Sequence, residues 1–170
     1  MSTRLAEALE RDSTVRAERA IPEQGPATIV HGDYRLDNCM VDDNGDVIAV
    51  LDWEICTLGD PLADVGLLMV YWSGQNDEHT ALPDGATGLE GYPDRSELLA
   101  RYAEVSGRDV SAIDFYIAFG YWKLACILEG VYARYVGGAM GQTATNYEFF
   151  AEQVRMLAAA ARAATDRIAG

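Results

Sequence analysis

Apolar positions along the chain follow two different rules. Between residues 29 and 54 they come in short runs, Ile29-Val30, Cys39 to Val41 and Val47 to Leu51, each bounded by Asp, Asn or Gly. Runs this short and rich in β-branched residues predict small strands. Asn44-Gly45 predicts a two-residue hairpin turn between the second and third runs, because both residues tolerate positive φ. From residue 60 onward the spacing changes to three and four, which predicts helices. Asp60-Pro61 marks a helix start, with Asp as N-cap and Pro at the first helical position, and Leu62, Val65, Leu68, Met69 and Trp72 form its apolar face. A second helix is expected over Asp94 to Val105, with Leu98, Leu99, Tyr102 and Val105 inward and Gly107 as its stop. Ser111 is expected to open a long third helix with Asp114 as capping-box partner. That helix carries Ile113, Tyr116, Ile117, Tyr121, Leu124, Ile127, Leu128, Val131 and Tyr135, and Gly137-Gly138 ends it. The last helix begins at Thr145 or Asn146, with Tyr147, Phe150, Val154, Leu157, Ala161 and Ile168 inward. Ahead of the strands, Leu5, Ala8 and Leu9 make a narrow stripe that predicts a helix from Ser2 to about Ala20, followed by a linker at Pro22, Gly25 and Pro26.

The expected architecture is therefore α+β and mostly helical, with short antiparallel β-hairpins. It reads as one domain over 1–170: an N-terminal helix and linker (1–26), a strand-and-loop region (29–54) and a helical part (60–168). Ser73 to Asp94, rich in Gly, Asp, Asn and Pro, reads as a long loop of the kind that carries function, here part of an acceptor site or a contact with missing structure. His79 within it reads as solvated. No internal repeat is visible.

The hairpin brings Asn38, just before its first strand, near Asp52, just after its second. Asp33 lies five residues ahead of Asn38 on the connecting loop. The order His31-x-Asp33-x-x-x-x-Asn38, followed by an Asp after an apolar strand, is the one protein kinases use. There the loop Asp accepts the proton of the substrate hydroxyl, and the Asn and second Asp hold magnesium. Magnesium takes few protein oxygens and completes its shell with water and phosphate, so one Asn and one Asp suffice. The wording differs from that of a protein kinase: His31-Gly32-Asp33 replaces His-Arg-Asp, and Leu51-Asp52-Trp53-Glu54 stands where Asp-Phe-Gly would be.

His31-Gly-Asp-Tyr-Arg-Leu-Asp-Asn38 and Leu51-Asp-Trp-Glu-Ile-Cys-Thr-Leu-Gly-Asp-Pro-Leu-Ala-Asp64 resemble the aminoglycoside phosphotransferase family, small-molecule kinases that share the protein-kinase fold. Among its branches they are similar to the kinase-like domain fused to some acyl-CoA dehydrogenases. The resemblance implies the C-terminal lobe of such a kinase, transferring the γ-phosphoryl of ATP (or GTP) to a small-molecule hydroxyl. It makes Asp33 the catalytic residue, and Asn38 and Asp52 the magnesium ligands. Its branch points to a hydroxyacyl acceptor ahead of an antibiotic. In the family an Asp at the place of Asp64 helps hold the catalytic loop; the competing reading is a favourable charge near a helix N-terminus. His31 reads as a brace for the loop. Arg35 and Asp37 could pair or cap the turn, while Arg35 could also meet an anionic substrate group. Glu54 stands beside the metal site, outside the ligand set.

A complete enzyme of this kind needs a β-rich lobe with a nucleotide-covering loop and a phosphate-binding lysine. Only 30 residues precede His31, and the single lysine, Lys123, comes late in the sequence. The expectation is a chain whose nucleotide lobe is absent, without turnover by itself, and with an apolar face around Ile29, Tyr34, Val50 and Trp53 covered by a homodimer contact. A net charge of −14 argues against nucleic acid or an anionic membrane as partner. Three unpatterned cysteines in apolar surroundings suit buried thiols in a reducing, cytoplasmic setting. Asp42-Asp43-Asn44-Gly45-Asp46 looks like a calcium loop, but Val47 and Trp53 stand where an EF-hand has its glycine and glutamate. Gly137-Gly138-Ala139-Met140-Gly141 follows a helix rather than a strand, which excludes a phosphate-binding fingerprint. Two other classes remain: a non-catalytic kinase-like module, and a metal-dependent phosphohydrolase using His31, Asp33 and Asp52, against which the scarcity of histidines counts.

Overall fold

A computed structural model describes residues 17–73, 85–138 and 147–168. The expected N-terminal helix, His79 and the predicted start of the last helix at Thr145 or Asn146 lie outside them, apart from a helical turn at 17–19. Strand β1 is Thr28–Val30, β2 Cys39–Val41, β3 Val47–Val50 and β4 Thr57–Gly59. Helix α1 is Leu62–Tyr71, α2 Arg95–Ser106, α3 Ile113–Val136 and α4 Glu148–Ile168.

The strands form two separate antiparallel ribbons, β1 with β4 and β2 with β3. The first, with Ile29 opposite Leu58, was not legible from the short Thr57-Leu58-Gly59 segment. In the second, Cys39 faces Val50 and Val41 faces Val47. The turn between them differs from the two-residue type expected at Asn44-Gly45. It is a longer loop over Asp42–Asp46, because the Asp42 carboxylate accepts the N–H groups of both Asn44 (2.9 Å) and Asp46 (3.0 Å). Gly45, at φ +86°, supplies the left-handed residue that such a loop needs. Those backbone donors, Asp46's first, hold the Asp42 carboxyl below its usual range. Both ribbons leave apolar side chains in solvent, with Ile29 66% and Leu58 74% exposed in the first and Ile48 61% in the second, and Trp53 after β3 is 47% exposed. Tyr34 and Val50 are half-buried.

The helices form the core. Asp60 caps α1 with its side chain, accepting the Leu62 N–H at 2.9 Å. Burial, and then the Asp60 carboxylate beside it, push the Tyr116 phenol up to about 12, so a neutral hydroxyl on α3 meets the start of α1. Leu62, Val65 and Met69 of α1 pack against Ile113 and Tyr116 of α3, with Leu98, Leu99 and Tyr102 of α2 alongside. Val70 joins Ala118, Tyr121 and Ala125 against Val154, Leu157, Ala158 and Ala161 of α4. The alanine-rich stripe of α4 lets its backbone come close to α3. The α1–α3 crossing is close at Gly66. A methyl group on Gly66 would lie 2.5 Å from the Tyr116 carbonyl carbon.

Helix ends follow local chemistry. Asp94 and Glu97 form a reciprocal capping box at α2, and Gly107 at φ +65° terminates it. The capping box expected for Ser111 and Asp114 is not made. Asp109 takes both the N–H and the hydroxyl of Ser111 (2.8 and 2.9 Å), so α3 starts two residues later, at Ile113. Periodicity also overcounted the inward face, for Ile127 (50% exposed) and Val105 (69%) point to solvent. The cysteines are free, and Cys56 is exposed rather than buried as expected. Among the described residues no helix is long and apolar enough to cross a membrane.

Candidate active site

The loop after β1 is held by backbone contacts from three directions. From α1, the Asp64 carboxylate accepts the N–H of His31 (2.6 Å) and of Gly32 (2.8 Å). From β3, the Leu51 carbonyl accepts the His31 Nε2–H at 2.6 Å. From α3, Lys123 Nζ donates to the Gly32 carbonyl at 2.5 Å. The other ring nitrogen of His31, Nδ1, accepts the Asp33 N–H at 3.2 Å. One neutral tautomer satisfies both ring bonds, and the imidazole is buried at 2% exposure against Trp53, 4.8 Å away between centroids. His31 is thus committed to the scaffold on both sides. The glycine between His31 and Asp33 also has a physical reason. It sits at φ +87°, and a methyl group there would meet the Ile55 carbonyl oxygen at 3.2 Å, so a larger residue would be both strained in backbone and crowded against Ile55.

Asp33 and Asn38 meet directly. The Asn38 amide donates from Nδ2 to the Asp33 carbonyl (2.8 Å) and to its Oδ2 (3.2 Å). The Leu51 N–H donates to the Asn38 carbonyl at 2.8 Å, which ties the end of β3 to the loop and brings the segment entering Asp52 beside Asn38. Asp52 adopts φ 60°, ψ 51°, and it is the one non-glycine with positive φ among the described residues. That left-handed conformation costs about 1–2 kcal/mol, and strain of this kind is concentrated at functional positions. With Nδ2 committed to Asp33, Asn38 keeps its Oδ1 as acceptor. Asn38 Oδ1 and the Asp52 carboxylate are both oxygen donors, a type that suits a hard cation drawing its other ligands from water and phosphate. Among the described residues no three or more His, Cys, Asp or Glu side chains gather as a metal cage.

Arg35 pairs with Asp37 at 2.5 Å and lies over the Tyr71 ring, 4.8 Å from its centroid. Burial pushes the Tyr71 phenol up, with Arg35 opposing. A groove of about 520 Å³ adjoins the loop, lined by Tyr34, Asp64, Leu68, Met69, Arg101 and Tyr102 among others. Two of these contributors escaped the sequence reading. Tyr71 follows the apolar face of α1 and gave no signal. Lys123 gave one: it is the chain's only lysine, set within the apolar run Tyr121-Trp122-Lys123-Leu124.

The family model described as the phosphotransferase enzyme family matches residues 2–100, more than half of the chain. The chain belongs to that family. Its relatives include mouse acyl-CoA dehydrogenase family member 10, 39% identical over 124 residues, which are 69% of this chain and 11% of that protein. Chicken acyl-CoA dehydrogenase family member 11 is 32% identical over 143 residues, 81% of this chain and 18% of that protein. A solved structure from Ralstonia eutropha, assigned as an aminoglycoside phosphotransferase, superposes with a TM-score of 0.68 at 29% identity. It covers 97% of this chain, and the chain spans 53% of it. The chain thus spans about half of the solved phosphotransferase-like structure and a small part of each dehydrogenase relative. The mostly helical α+β arrangement with short antiparallel strand pairs matches the kinase-like fold of this family.

Proposed function

We propose that this phosphotransferase-family chain carries the catalytic and metal-binding half of a small-molecule kinase. The reaction is transfer of the γ-phosphoryl of ATP, or of GTP, to an acceptor hydroxyl. The observation that carries this reading is the direct bond between Asn38 and Asp33, with strained Asp52 delivered beside them by β3. Asp33 would accept the acceptor's proton while Asn38, through Nδ2, keeps its carboxylate oriented. Asn38 Oδ1 and the Asp52 carboxylate would hold magnesium. The chemistry a bound magnesium supplies is neutralisation of phosphate charge during transfer. Asp64 and His31 would position the loop, and Arg35, braced by Asp37 and Tyr71, would sit close to the phosphoryl path. The phosphohydrolase reading loses support, because both ring nitrogens of His31 already serve backbone groups and neither is free as a ligand.

For the acceptor, the relatives named acyl-CoA dehydrogenases and the largely apolar groove beside Tyr34, with Arg101 as its basic residue, support a hydroxyacyl compound over a cationic aminoglycoside. ADP release by the enzyme complete with its nucleotide lobe, measured with a panel of hydroxyacyl-CoA thioesters and aminoglycosides, tests this. Turnover with a hydroxyacyl thioester is expected, and turnover with aminoglycosides alone would overturn the acceptor class. Nucleotide binding without turnover on any hydroxyl would favour a non-catalytic module instead.

A further inference from the structure

Gly32 is gripped at both ends by side chains from different helices. Its N–H is bound by Asp64 of α1 at 2.8 Å, and its C=O by the Lys123 ammonium of α3 at 2.5 Å. Asp33 is the next residue. We propose that Lys123 is a positioning residue for phosphoryl transfer: its ammonium fixes the Gly32–Asp33 peptide and thereby the direction of the Asp33 carboxylate. This inference rests on the kinase reading above.

A line of hydrogen bonds leads from Lys123 into the loop. The carbonyl that Lys123 holds belongs to the same peptide unit as the Asp33 N–H, which donates to His31 Nδ1. The His31 Nε2–H donates to the Leu51 carbonyl, which shares its peptide unit with the Asp52 N–H; the Leu51 N–H, on the neighbouring peptide unit, donates separately to the Asn38 carbonyl. Chains of this kind polarise one another, so a charge at one end strengthens the bonds beyond it. Lys123 thus stands at the head of a line that runs through the backbone of the proposed base to the peptide unit entering Asp52. Residue type also matters here. The chain has 12 arginines and this single lysine, placed where the target is one carbonyl oxygen. A compact ammonium on a flexible stem suits that target, whereas the planar guanidinium fork matches two oxygens. The pairing joins residues 91 positions apart, so α3 takes part in setting the loop.

The test uses the protein expressed from its natural gene, with Lys123→Met, Lys123→Arg and Asp33→Asn compared. Lys123→Met should lower kcat by about 10²-fold, the loss expected from a small misplacement of a reacting group, with KM for the nucleotide little changed. Lys123→Arg keeps the charge and should fall between Met and wild type. Hydrogen exchange should accelerate at the Gly32 and Asp33 amides while the Val154 and Leu157 amides of α4 stay protected. If Lys123→Met does not fold, Lys123→Arg carries the same test, with a smaller fall in kcat and the same local exchange signature. Wild-type kcat in a folded Lys123 variant, or equal loss of protection in α4, would overturn the proposal. Should Asp33→Asn retain turnover, the kinase reading itself fails. Should Asp33→Asn be inactive while Lys123→Met turns over normally, only this inference fails.

Discussion

In the enzyme complete with its nucleotide lobe, replacing Asp33 by Asn is expected to cut turnover by about 10²–10⁴-fold, the range a positioned proton acceptor contributes, and to leave nucleotide affinity nearly unchanged. The amide keeps the size of the carboxylate and its place beside Asn38 Nδ2, but it cannot take a proton from the acceptor hydroxyl. Asp52→Asn should behave differently. It removes an anionic oxygen from the candidate metal pair, so the concentration of magnesium-nucleotide needed for half-maximal rate should rise along with the loss of turnover. Steady-state kinetics across a magnesium titration separates the two patterns. Equal and small effects of both changes would contradict the assigned roles.

The largest expected effect on stability comes from a substitution that helix propensity alone would favour. Alanine in place of an exposed mid-helix glycine gains about 1 kcal/mol. At Gly66 of α1 the added methyl would lie 2.5 Å from the Tyr116 carbonyl carbon and 2.6 Å from its oxygen, and backbone cannot move aside as a flexible side chain can. Overpacking of this kind costs about 1–3 kcal/mol and sometimes more, so Gly66→Ala should be destabilising despite its propensity. In a chain of this length each kcal/mol moves Tm by about 2–4 °C, which places the expected fall at several degrees. Gly120→Ala faces the Val70 Cγ2 at 3.1 Å, a side-chain atom that can yield, and should cost less. Thermal unfolding followed by circular dichroism checks both. A higher Tm for Gly66→Ala would show that α1 and α3 do not cross as closely as described. Because α1 also carries Asp64, which holds the loop, Gly66→Ala should lower turnover as well.

How much of this was legible in the sequence depended on the range of each interaction. Asp33, Asn38 and the strand leading to Asp52 lie within one hairpin, so spacing and a turn signal were enough to bring them together. The Asp60-Pro61 start and the Gly107 and Gly137 stops were readable because a helix end is decided by a few neighbouring residues. The turn itself was misjudged for a local reason, since Asp42 competes for the N–H groups of Asn44 and Asp46 and lengthens the loop. Ser111 failed as a cap because Asp109 reached it first. Contacts across long separations left little trace. The β1–β4 pairing joins Ile29 to Leu58, and the contact of Lys123 with Gly32 spans 91 positions. Ile127 and Val105 show a further limit. Periodicity shows that a helix has an apolar face, whereas the width of the covered arc depends on which neighbour packs against it.

The central claim is that Asp33, Asn38 and Asp52 serve phosphoryl transfer to a hydroxyl. Following the γ-phosphoryl of labelled ATP in the enzyme complete with its nucleotide lobe, with a hydroxyacyl thioester and magnesium present, tests it most directly. The account predicts that the label appears as a phosphate ester on the acceptor, that removing magnesium stops its transfer, and that Asp33→Asn abolishes it. Release of the label as inorganic phosphate alone, or unchanged transfer by Asp33→Asn, would contradict the account.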